Sequence, residues 1–523
     1  MKYVSVKEMQ TIERQADASG LSYAQMMENA GKGLGEIVDN ACRHYINKKV
    51  IGLIGSGNNG GDTLVALAYL AQRGWETTAY IVKARPPDDE LVNRLTNEGG
   101  KIIHGNNDTE YQQLHHALDR NSVLLDGILG TGFRLPLKGD IAAILDFTNR
   151  YITHHGKEIT VIAVDCPSGV DCDSGATAPQ TLKADITVTM AAIKAGLLKT
   201  PAFQFAGDIQ VVDIGLPENL PVWKQVKRVV PDIEYVKSVI PKRDLEAHKG
   251  TFGTALIIAG SQNYTGAALL AGKAAYISGA GLVTLAIPAV LHSSISGQFP
   301  EATWLLLPDD AGSIAEAGAA KLLENQQKVT AMLVGPGFGL QRATEKFFSN
   351  WLQGISQQNR KTPLVIDADG LKLLARNEGW AMMLPKLTIL TPHPGEMAVL
   401  TGLTVDEIQS DRLNIAEKYA QEWGHIIVLK GAFTVVASPD GTSGIVPIAT
   451  PALARAGSGD VLGGIICGLR AQGMEAFDAA LTGAWIHGKA GLAAADAMGS
   501  TAAVLAGDIL MGCVNVMADI EMN

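Results

Sequence analysis

Short apolar runs that alternate with helical segments constrain the fold of this chain more than any other feature. Strand-like runs begin at residues 50, 78, 123, 161 and 185, and a second series begins at residues 254, 282, 332, 364, 387, 426 and 434. Strands separated by helices pair in parallel through right-handed crossovers and form a sheet covered by helices on both faces. The sequence therefore predicts an α/β fold, with two three-layer α/β/α domains.

The two series are separated by a segment with the composition of a linker. Residues 215–245 contain four prolines and scattered charges. A chain of 523 residues is also too long to fold around one core. We therefore expect one domain over residues 1–225 and a second over residues 226–523.

The composition limits the kinds of partner that the chain can have. It is 47% hydrophobic and 18% charged, as in well-packed α/β enzymes, and its net charge of -10 provides no basic surface for nucleic acid. The first residues lack the apolar core of a signal peptide, and no uncharged apolar run reaches membrane-spanning length. The five cysteines show no paired spacing. These features predict a cytoplasmic protein that binds neither nucleic acid nor a membrane.

The first glycine-rich turn resembles a dinucleotide-binding fingerprint but departs from it. Residues 50–70 read VIGLIGSGNNGGDTLVALAYL, which places G-x-G-x-x-G between a strand and a helix. Two details argue against a simple Rossmann site. Asp62 would repel a pyrophosphate, and the second strand is followed by Lys83 instead of an acidic residue. Lys83 and Arg85 could instead meet a 2′-phosphate, and no G-K-[ST] follows that would indicate a P-loop.

Polar side chains also follow other predicted strands of the first half. Asp126 precedes GILGTGFRLPLKG, Asp165 precedes CPSGVDCDSG, and Lys194 follows the strand that ends near Met190. One aspartate in such a place is usually a helix cap or a turn former. Several oxygen-rich side chains at successive strand ends predict a functional site, because ligands of open α/β sheets bind there. Without histidine or cysteine pairs, this site suits a hard cation and not zinc.

The second half carries a glycine-rich turn that suits phosphoryl transfer. Residues 456–464 read AGSGDVLGG, and a helix that begins in this turn directs free N–H groups and its dipole at a bound phosphate. Asp460 is then placed to take a proton from a substrate hydroxyl. The alternative is a tight helix start with Asp460 as a capping residue. Lys430, in KGAFT, could contact nucleotide phosphates or be a solvated residue at a strand edge.

The second half carries five further motifs: HKGTFG at 248, GSQNYTGA at 260, GPGFG at 335, DADGL at 367 and TPHPGE at 391. Two prolines fix the loop that carries His393, which favours a ligand contact over a structural role. Glu396 is a candidate for contact with Mg²⁺, directly or through water.

Taken together, the motifs resemble those of the bifunctional NAD(P)H-hydrate repair enzymes. This family fuses an NAD(P)HX epimerase domain, which is Rossmann-like, to an ADP-dependent NAD(P)HX dehydratase domain of the ribokinase-like superfamily. The first domain is matched by MMENAG, GSGNNGGD, DGILGTG and VDCPSGVDCDSG, and the second by HKGTFG, AGSQNYTGA, GPGFG, TPHPGE, KGAFT and GSGD. The motifs follow the family order and span nearly the whole chain.

The resemblance implies a set of site residues for the first domain. Asp165, with Lys194, would carry out the proton transfer at the hydrated carbon. Potassium would be held by Asn59, Asp126 and Ser168. The hydrated dinucleotide would contact Asn58, Asn59, Gly60, Gly61, Asp62, Gly130, Thr131, Gly132, Phe133, Arg134, Leu135, Pro136 and Asp165.

For the second domain, the resemblance implies that Asp460 deprotonates the substrate hydroxyl, which then attacks the β-phosphate of Mg²⁺-bound ADP. Phosphate would leave next, giving NAD(P)H, AMP and phosphate. The hydrated dinucleotide would contact Ala267, Gly337, His393 and Asp460. The adenine nucleotide would contact Lys430, Gly431, Ala432, Phe433, Thr434, Gly457, Ser458 and Gly459. Ser458 stands where the family more often has threonine, and a homo-oligomer is expected.

Two other interpretations are compatible with parts of the sequence. The first half could be a non-catalytic dinucleotide-binding or protein-interaction module, although the intact Asp165 and the potassium-site residues argue against this. The second half could be a true kinase of a small alcohol, such as a vitamin precursor. The TPHPGE and HKGTFG motifs favour the dehydratase over the kinase.

Overall fold

The computed structural model of the protein describes residues 1–155, 159–358 and 361–522. The chain divides into two compact units, Met1–Arg228 and Val229–Asn523. Each unit is built around its own sheet, with apolar cores on the two faces.

The first unit is built on a fully parallel seven-stranded sheet. The strands of the whole unit are β1 (Tyr3–Val4), β2 (Lys49–Ile54), β3 (Glu76–Ile81), β4 (Lys101–His104), β5 (Val123–Gly127), β6 (Thr160–Val164), β7 (Ile186–Met190), β8 (Ile193–Lys194) and β9 (Asp208–Val212). The order in the large sheet is β4-β3-β2-β5-β6-β7-β9, and all its pairs are parallel. The short strands β1 and β8 form a separate parallel pair.

Helices connect these strands and cover the sheet. They are α1 (Val6–Ala18), α2 (Tyr23–Ala41), α3 (Asn58–Gln72), α4 (Glu90–Asn97), α5 (Gln112–Arg120), α6 (Gly139–His155), α7 (Phe203–Ala206) and α8 (Pro221–Gln225). Ser5 and Glu8 form a capping box at the start of α1, because each side chain accepts a hydrogen bond from the other's backbone N–H. Parallel strands with crossover helices confirm the predicted fold class for this unit.

The strand order places a switch point between β2 and β5. Strands β3 and β4 lie on one side of β2, while β5, β6, β7 and β9 lie on the other. At such a point the connections leave in opposite directions and open a crevice outside the carboxyl ends of the strands. The glycine-rich turn after β2 and Asp126 in β5 both lie at this crevice.

The second unit contains a ten-stranded sheet. Its strands, with those of a small separate hairpin, are β10 (Arg228–Val229), β11 (Thr254–Ile258), β12 (Leu282–Pro288), β13 (Thr303–Leu307), β14 (Asp309–Asp310), β15 (Ser313–Ile314), β16 (Ala331–Val334), β17 (Leu364–Ile366), β18 (Ile389–Leu390), β19 (Ile426–Leu429), β20 (Val435–Ala437) and β21 (Ser443–Ile445). The sheet order is β10-β21-β20-β19-β18-β17-β16-β11-β12-β13. Strands β14 and β15 form the hairpin.

Parallel pairing holds from β13 to β19 but not beyond. Strands β19 and β20 pair antiparallel, as do β20 and β21. Parallel pairing is predicted for strands separated by helices, and no helix lies here: only five residues join β19 to β20, whereas a parallel crossover needs about a dozen or more.

Helices on both faces complete the second unit. They are α9 (Ile233–Val239), α10 (Thr265–Ile277), α11 (His292–Ile295), α12 (Gly318–Asn325), α13 (Arg342–Gln357), α14 (Asp369–Leu374), α15 (Trp380–Met383), α16 (Pro394–Thr401), α17 (Val405–Ser410), α18 (Arg412–Trp423), α19 (Ser458–Ala471), α20 (Ala476–Met498) and α21 (Ala506–Met522). Residues 215–245, predicted to be a linker, contain α8, β10 and α9 and are therefore not an extended connection.

Within the described residues, no helix is both long and apolar enough to cross a membrane. All five cysteines are buried free thiols, as their irregular spacing predicts. The apolar faces of α10 and α19 pack together closely. A Cβ atom on Gly464 would lie 2.2 Å from the carbonyl oxygen of Ala271, so only glycine permits this approach.

Candidate active sites

The glycine-rich turn of the first unit leads directly from β2 into α3. Gly57 is the N-cap and provides no side-chain cap, so the first N–H groups of α3 have no side-chain acceptor there. Asn58 begins the helix, followed in the first turns by the buried Asn59, Gly60, Gly61 and Asp62. A Cβ on Gly60 would lie 2.1 Å from the Gly55 carbonyl oxygen, which explains the glycine there.

Asn59, Asp126 and Ser168 meet in a buried group of oxygen atoms beside this turn. The Ser168 hydroxyl donates to Asp126 Oδ1 at 2.5 Å, and the Ser168 N–H donates to Oδ2 at 2.8 Å. The Asn59 amide donates to the Val164 carbonyl at 2.5 Å and to the Leu129 carbonyl at 3.2 Å. Burial raises the pKa of Asp126, because a carboxylate without a counter-charge is poorly solvated there.

The Gly130–Pro136 loop begins at this group. A Cβ on Gly130 would lie 2.3 Å from Asn59 Oδ1, so the loop backbone passes directly over the Asn59 side chain. The rest of the loop is half-buried or exposed and lies between β5 and α6: Thr131, Gly132, Phe133, Arg134, Leu135 and Pro136. Its accessible backbone suits contact with a ligand.

Asp165 and Lys194 form a buried ion pair. Asp165 follows β6 with φ of 64°, in the left-handed region that is unusual for aspartate. Its Oδ1 accepts hydrogen bonds from Lys194 Nζ, from Thr189 Oγ1 at 3.1 Å and from the Met190 N–H at 3.0 Å. Lys194 Nζ also donates to Thr189 Oγ1 at 3.1 Å and to the Met190 carbonyl at 2.8 Å. The ammonium is therefore fully occupied, and Asp165 Oδ2 is the freer oxygen of the pair.

Asp62 lies within electrostatic range of this pair. Burial, and then the charges of Asp165 and Glu13, raise the pKa of Asp62 well above its usual range. Burial thus disfavours the anionic form of Asp62, the form that was expected to repel a pyrophosphate.

Glu13 was not identified by the sequence motifs. It is half-buried in α1, and burial raises its pKa beside Lys194 and Asp165. One signal could have revealed it. Glu13 lies four residues after Met9 and three before Ala16, on the buried stripe of the helix, where a charged residue is unusual.

Arg85 stabilises the glycine-rich turn from outside. Its Nη1 donates to the Gly55 carbonyl at 2.9 Å, and its Nε pairs with Asp89 at 2.7 Å. Lys83 is exposed nearby. Of the two candidates for a 2′-phosphate contact, Lys83 is therefore the less engaged.

In the second unit, Asp460 lies in the first turn of α19 without capping it. The N-cap is Gly457, with φ of 87° and no side-chain cap. Ser458 uses its hydroxyl elsewhere, donating to the Leu453 carbonyl at 2.8 Å. The capping interpretation of Asp460 is therefore wrong, and the first N–H groups of Ser458, Gly459 and Asp460 face the mouth of the helix.

The charges around this helix mouth alter the acidity of Asp460. Its pKa is raised to about 7, mainly by burial and then by the Asp367 charge, while the Lys430 charge lowers it. Lys430 Nζ is 2.6 Å from Asp367 Oδ1 and 3.6 Å from Glu396 Oε2. Its side chain is 17% exposed, so the interpretation of Lys430 as a solvated edge residue is wrong.

The other KGAFT residues form the hairpin between β19 and β20. Gly431 and Ala432 are exposed, and Phe433 has φ of 53°. The Thr434 hydroxyl donates to the Gly431 carbonyl at 2.9 Å. The hairpin thus continues outward from Lys430 as an accessible loop.

Ala267 and Gly337 lie against each other at the carboxyl edge of the sheet. A Cβ on Gly337 would lie 2.8 Å from that of Ala267 and 2.9 Å from that of Tyr264. The Tyr264 side chain is half-exposed at the same place, and the sequence motifs contained it without assigning it a role.

His393 has a structural role as the N-cap of α16. Its Nδ1 accepts the N–H groups of Gly395 at 3.0 Å and Glu396 at 3.2 Å, which caps α16. Glu396 returns a capping-box hydrogen bond from the His393 N–H at 2.9 Å. The His393 Nε2 lies 3.3 Å from Glu396 Oε1, and the His393 side chain is 53% exposed, so a ligand can reach its exposed face.

Comparison with known proteins identifies both units. Residues 23–196 match the model of the YjeF-related protein N-terminus, and residues 255–511 match NAD(P)H-hydrate dehydratase. The bifunctional NAD(P)H-hydrate repair enzyme of Moorella thermoacetica is 36% identical, over 100% of this chain and 97% of that protein. The bifunctional NAD(P)H-hydrate repair enzyme of Escherichia coli is 32% identical, over 91% of this chain and 86% of that protein. The ADP/ATP-dependent NAD(P)H-hydrate dehydratase structure of Bacillus subtilis is 32% identical over 56% of this chain and 98% of that one, with a TM-score of 0.47.

Fold and sites together define a two-domain α/β enzyme, with a Rossmann-like first domain and a second domain that matches NAD(P)H-hydrate dehydratase. Each domain carries its polar groups at the carboxyl edge of its sheet. The similarity to the Moorella protein extends over the whole chain. The chain therefore belongs to the family of bifunctional NAD(P)H-hydrate repair enzymes.

Proposed function

We propose that this enzyme repairs hydrated NADH and NADPH in two steps. Residues 1–225 interconvert the R and S forms of NAD(P)HX, and residues 226–523 dehydrate the S form with ADP. One observation carries the dehydratase assignment: Asp460 lies at the mouth of α19, whose N-terminus has no side-chain cap, and its pKa is raised to about 7. Such a carboxyl group is a proton acceptor suited to neutral pH.

In the first domain, the free oxygen of Asp165 is the proposed proton acceptor or donor at the hydrated carbon. Three donors hold the other oxygen, which fixes the carboxylate for this work. Lys194 orients Asp165 and balances its charge. The N–H groups at the start of α3 and the Gly130–Pro136 loop are the proposed contacts of the dinucleotide.

The oxygen group of Asn59, Asp126 and Ser168 fits a potassium ion. It offers a buried carboxylate that has no cationic partner among the residues described, together with hydroxyl, amide and backbone carbonyl oxygens. These are ligands that hard cations prefer. A bound cation would supply the missing positive charge for Asp126 and fix the loop that begins at Gly130.

In the second domain, Asp460 takes the proton of the substrate's ring hydroxyl. The hydroxyl oxygen then forms a bond to the β-phosphorus of ADP, and the bond from that phosphorus to the AMP oxygen breaks. The ring nitrogen lone pair expels the new phosphate group, and loss of a proton from the neighbouring carbon restores the double bond. Phosphorylation is needed because hydroxide is a poor leaving group.

The residues around α19 support this sequence of steps. The N–H groups of Gly457 to Asp460 and the helix dipole stabilise negative charge on the transferring phosphoryl group. Lys430 and the hairpin that ends at Thr434 are the proposed nucleotide contacts. Ala267, Gly337 and His393 are the proposed contacts of the hydrated dinucleotide.

Mg²⁺ would enter this site on the nucleotide phosphates. Within the described residues, no group of three or more histidine, cysteine, aspartate or glutamate side chains could hold a metal ion. The carboxylates of Asp367 and Glu396 are both paired with Lys430. The Bacillus subtilis dehydratase was co-crystallised with ATP and Mg²⁺. The cation would neutralise phosphate charge during transfer.

A homo-oligomer in the cytoplasm is part of the proposal, and the five free thiols support a reducing compartment.

The test follows the return of dihydronicotinamide absorbance from a mixture of both NADHX epimers with ADP, Mg²⁺ and K⁺. The intact enzyme should recover all the substrate, and Asp460→Asn should recover none. Asp165→Asn should stop once the S form is consumed, apart from spontaneous epimerisation measured separately. Asp309→Asn, at an exposed position, is the matched control.

Product analysis separates the dehydratase from the kinase alternative. A kinase leaves a stable phosphate ester, whereas the dehydratase releases free phosphate and AMP in amounts equal to the NADH formed. No recovery with ADP or ATP would reject the repair function. Equal epimer consumption by Asp165→Asn and the intact enzyme would reject the assignment of Asp165.

A further inference from the structure

Asp367 is a buried carboxylate at the centre of the second site, and the steps described above give it no role. It follows β17 directly and is 1% exposed. Its Oδ1 accepts a hydrogen bond from Lys430 Nζ at 2.6 Å. A charged group that is so fully buried needs a specific partner, and Lys430 is this partner.

The neighbouring backbone fixes the position of Asp367. Its N–H donates to the Val334 carbonyl at 3.1 Å. The next residue, Ala368, has φ of 52° and ψ of −126°, a conformation that is strained for any residue but glycine. A Cβ on Gly335 would lie 2.1 Å from the Asp367 carbonyl oxygen. Strain and close contact of this kind are typical of functional sites.

The second oxygen of Asp367 faces the helix that carries Asp460. A Cβ on Gly459 would lie 3.8 Å from Asp367 Oδ2, and one on Gly463 would lie 3.4 Å away. Glycine at both positions lets the carboxylate lie against the first turns of α19. The positive end of the helix dipole stabilises a negative charge there. Asp367 therefore lies between the Lys430 ammonium and the helix of the proposed base.

We propose that Asp367 is a positioning residue for the dehydratase reaction: it holds Lys430 at the mouth of α19 and places a negative charge beside the first turns of the helix that carries Asp460. The inference rests on the proposed function of the second domain. As a positioning residue, Asp367 acts through Lys430, which occupies its Oδ1.

The charges that face Asp460 explain how Asp367 acts. Burial raises the pKa of Asp460, the Asp367 and Asp369 charges add to this, and Lys430 lowers it. Replacing Asp367 by asparagine removes a charge that raises this pKa. The Lys430 charge, which lowers this pKa, then acts without that opposition, so the pKa of Asp460 should fall.

Two further groups belong to this electrostatic environment. Glu396 is 3.6 Å from Lys430 and remains its partner when Asp367 is changed. His487 lies beside Ser458, and burial lowers its pKa to about 4, so it is neutral and adds no charge at neutral pH. Neither group replaces the charge of Asp367.

The pH dependence of kcat/KM for S-NADHX, with saturating ADP and Mg²⁺, tests this role. In Asp367→Asn, the acid limb of the profile should move toward lower pH by about one pH unit. Asp367→Glu keeps the charge and should restore a limb close to that of the unchanged enzyme. Asp309→Asn should leave the profile unchanged.

A merely structural role would give a different result. An Asp367→Asn enzyme with a lower kcat or a higher KM but the original acid limb would overturn the inference. If Asp367→Asn does not fold, Lys430→Gln tests the same electrostatics in reverse. It removes the opposing charge, so the limb should move toward higher pH, and no movement or the opposite movement overturns the inference. An unchanged enzyme without dehydratase activity rejects the proposed function itself, which is a separate outcome.

Discussion

The proposed potassium site predicts a cation-dependent stability that a single substitution removes. Asp126 is fully buried, accepts two hydrogen bonds from Ser168 and has no cationic partner among the described residues. Potassium bound to the folded state and not to the unfolded chain should stabilise the first unit. Asp126→Asn preserves the size of the side chain but removes the only charge of the proposed ligand set, so potassium should no longer stabilise it.

The expected magnitude follows from binding linkage. At a potassium concentration one hundred times the dissociation constant, the stabilisation is about 2.7 kcal/mol. For a unit of about 230 residues this corresponds to an increase in Tm of about 5–10 °C. Without potassium, the unchanged protein should be less stable than Asp126→Asn. Because burial raises the pKa of Asp126, the stability that this group contributes is lost as the pH rises through its folded-state pKa. At pH 8 without potassium, Asp126→Asn should therefore be the more stable protein.

The assay is differential scanning calorimetry of the full chain in KCl and in choline chloride of equal ionic strength. Asp140→Asn, at an exposed position of the same unit, is the control and should respond to potassium like the unchanged protein. Equal stabilisation of Asp126→Asn and the unchanged protein would refute Asp126 as a ligand. No stabilisation of either would refute the potassium site.

Three further predictions follow from single groups. Since the pKa of Asp460 is about 7, kcat/KM of the dehydratase should fall about tenfold per pH unit below pH 7, and a rate independent of pH between 5 and 8 would contradict this. Burial raises the pKa of Asp62 in the folded state, so its contribution to stability is lost as the pH rises through the raised folded-state pKa. Asp62→Asn should therefore lose less stability to denaturant between pH 5 and 9 than the unchanged protein, and equal losses would count against this. A Cβ on Gly464 would lie 2.2 Å from the Ala271 carbonyl oxygen, whereas one on Gly266 meets nothing within 4 Å. Gly464→Ala should thus cost about 1–3 kcal/mol in denaturant unfolding, well above Gly266→Ala.

Much of the fold could be predicted from local sequence. The runs at residues 50, 123 and 161 form β2, β5 and β6, because a buried parallel strand requires a short apolar segment whatever its neighbours are. The order of strands could not be predicted, since it depends on which apolar faces meet. The antiparallel β19–β20 pair could have been predicted, because the five-residue connection is visible in the sequence.

The candidate sites show the same division. Asp460, Lys430, Asp126 and Asp165 lie in recognisable motifs, and the sequence predicts each of them as a site residue. Glu13 lies in no such motif, and its electrostatic interactions with Asp62 and Lys194 arise only in the folded chain. Asp367 stands in a visible motif, but its partner Lys430 is 63 residues away.

The sequence by itself determined which elements form and which chemical groups follow the strands, because backbone propensity and the apolar pattern act over a few residues. Only the tertiary structure decided the ionisation of those groups. The pKa of Asp62 rises well above its usual range once α3 is buried beside Asp165, and Asp460 becomes a base suited to neutral pH beside Asp367 and Lys430. Solvation and the charge of distant neighbours set a pKa, and both exist only after the chain has folded.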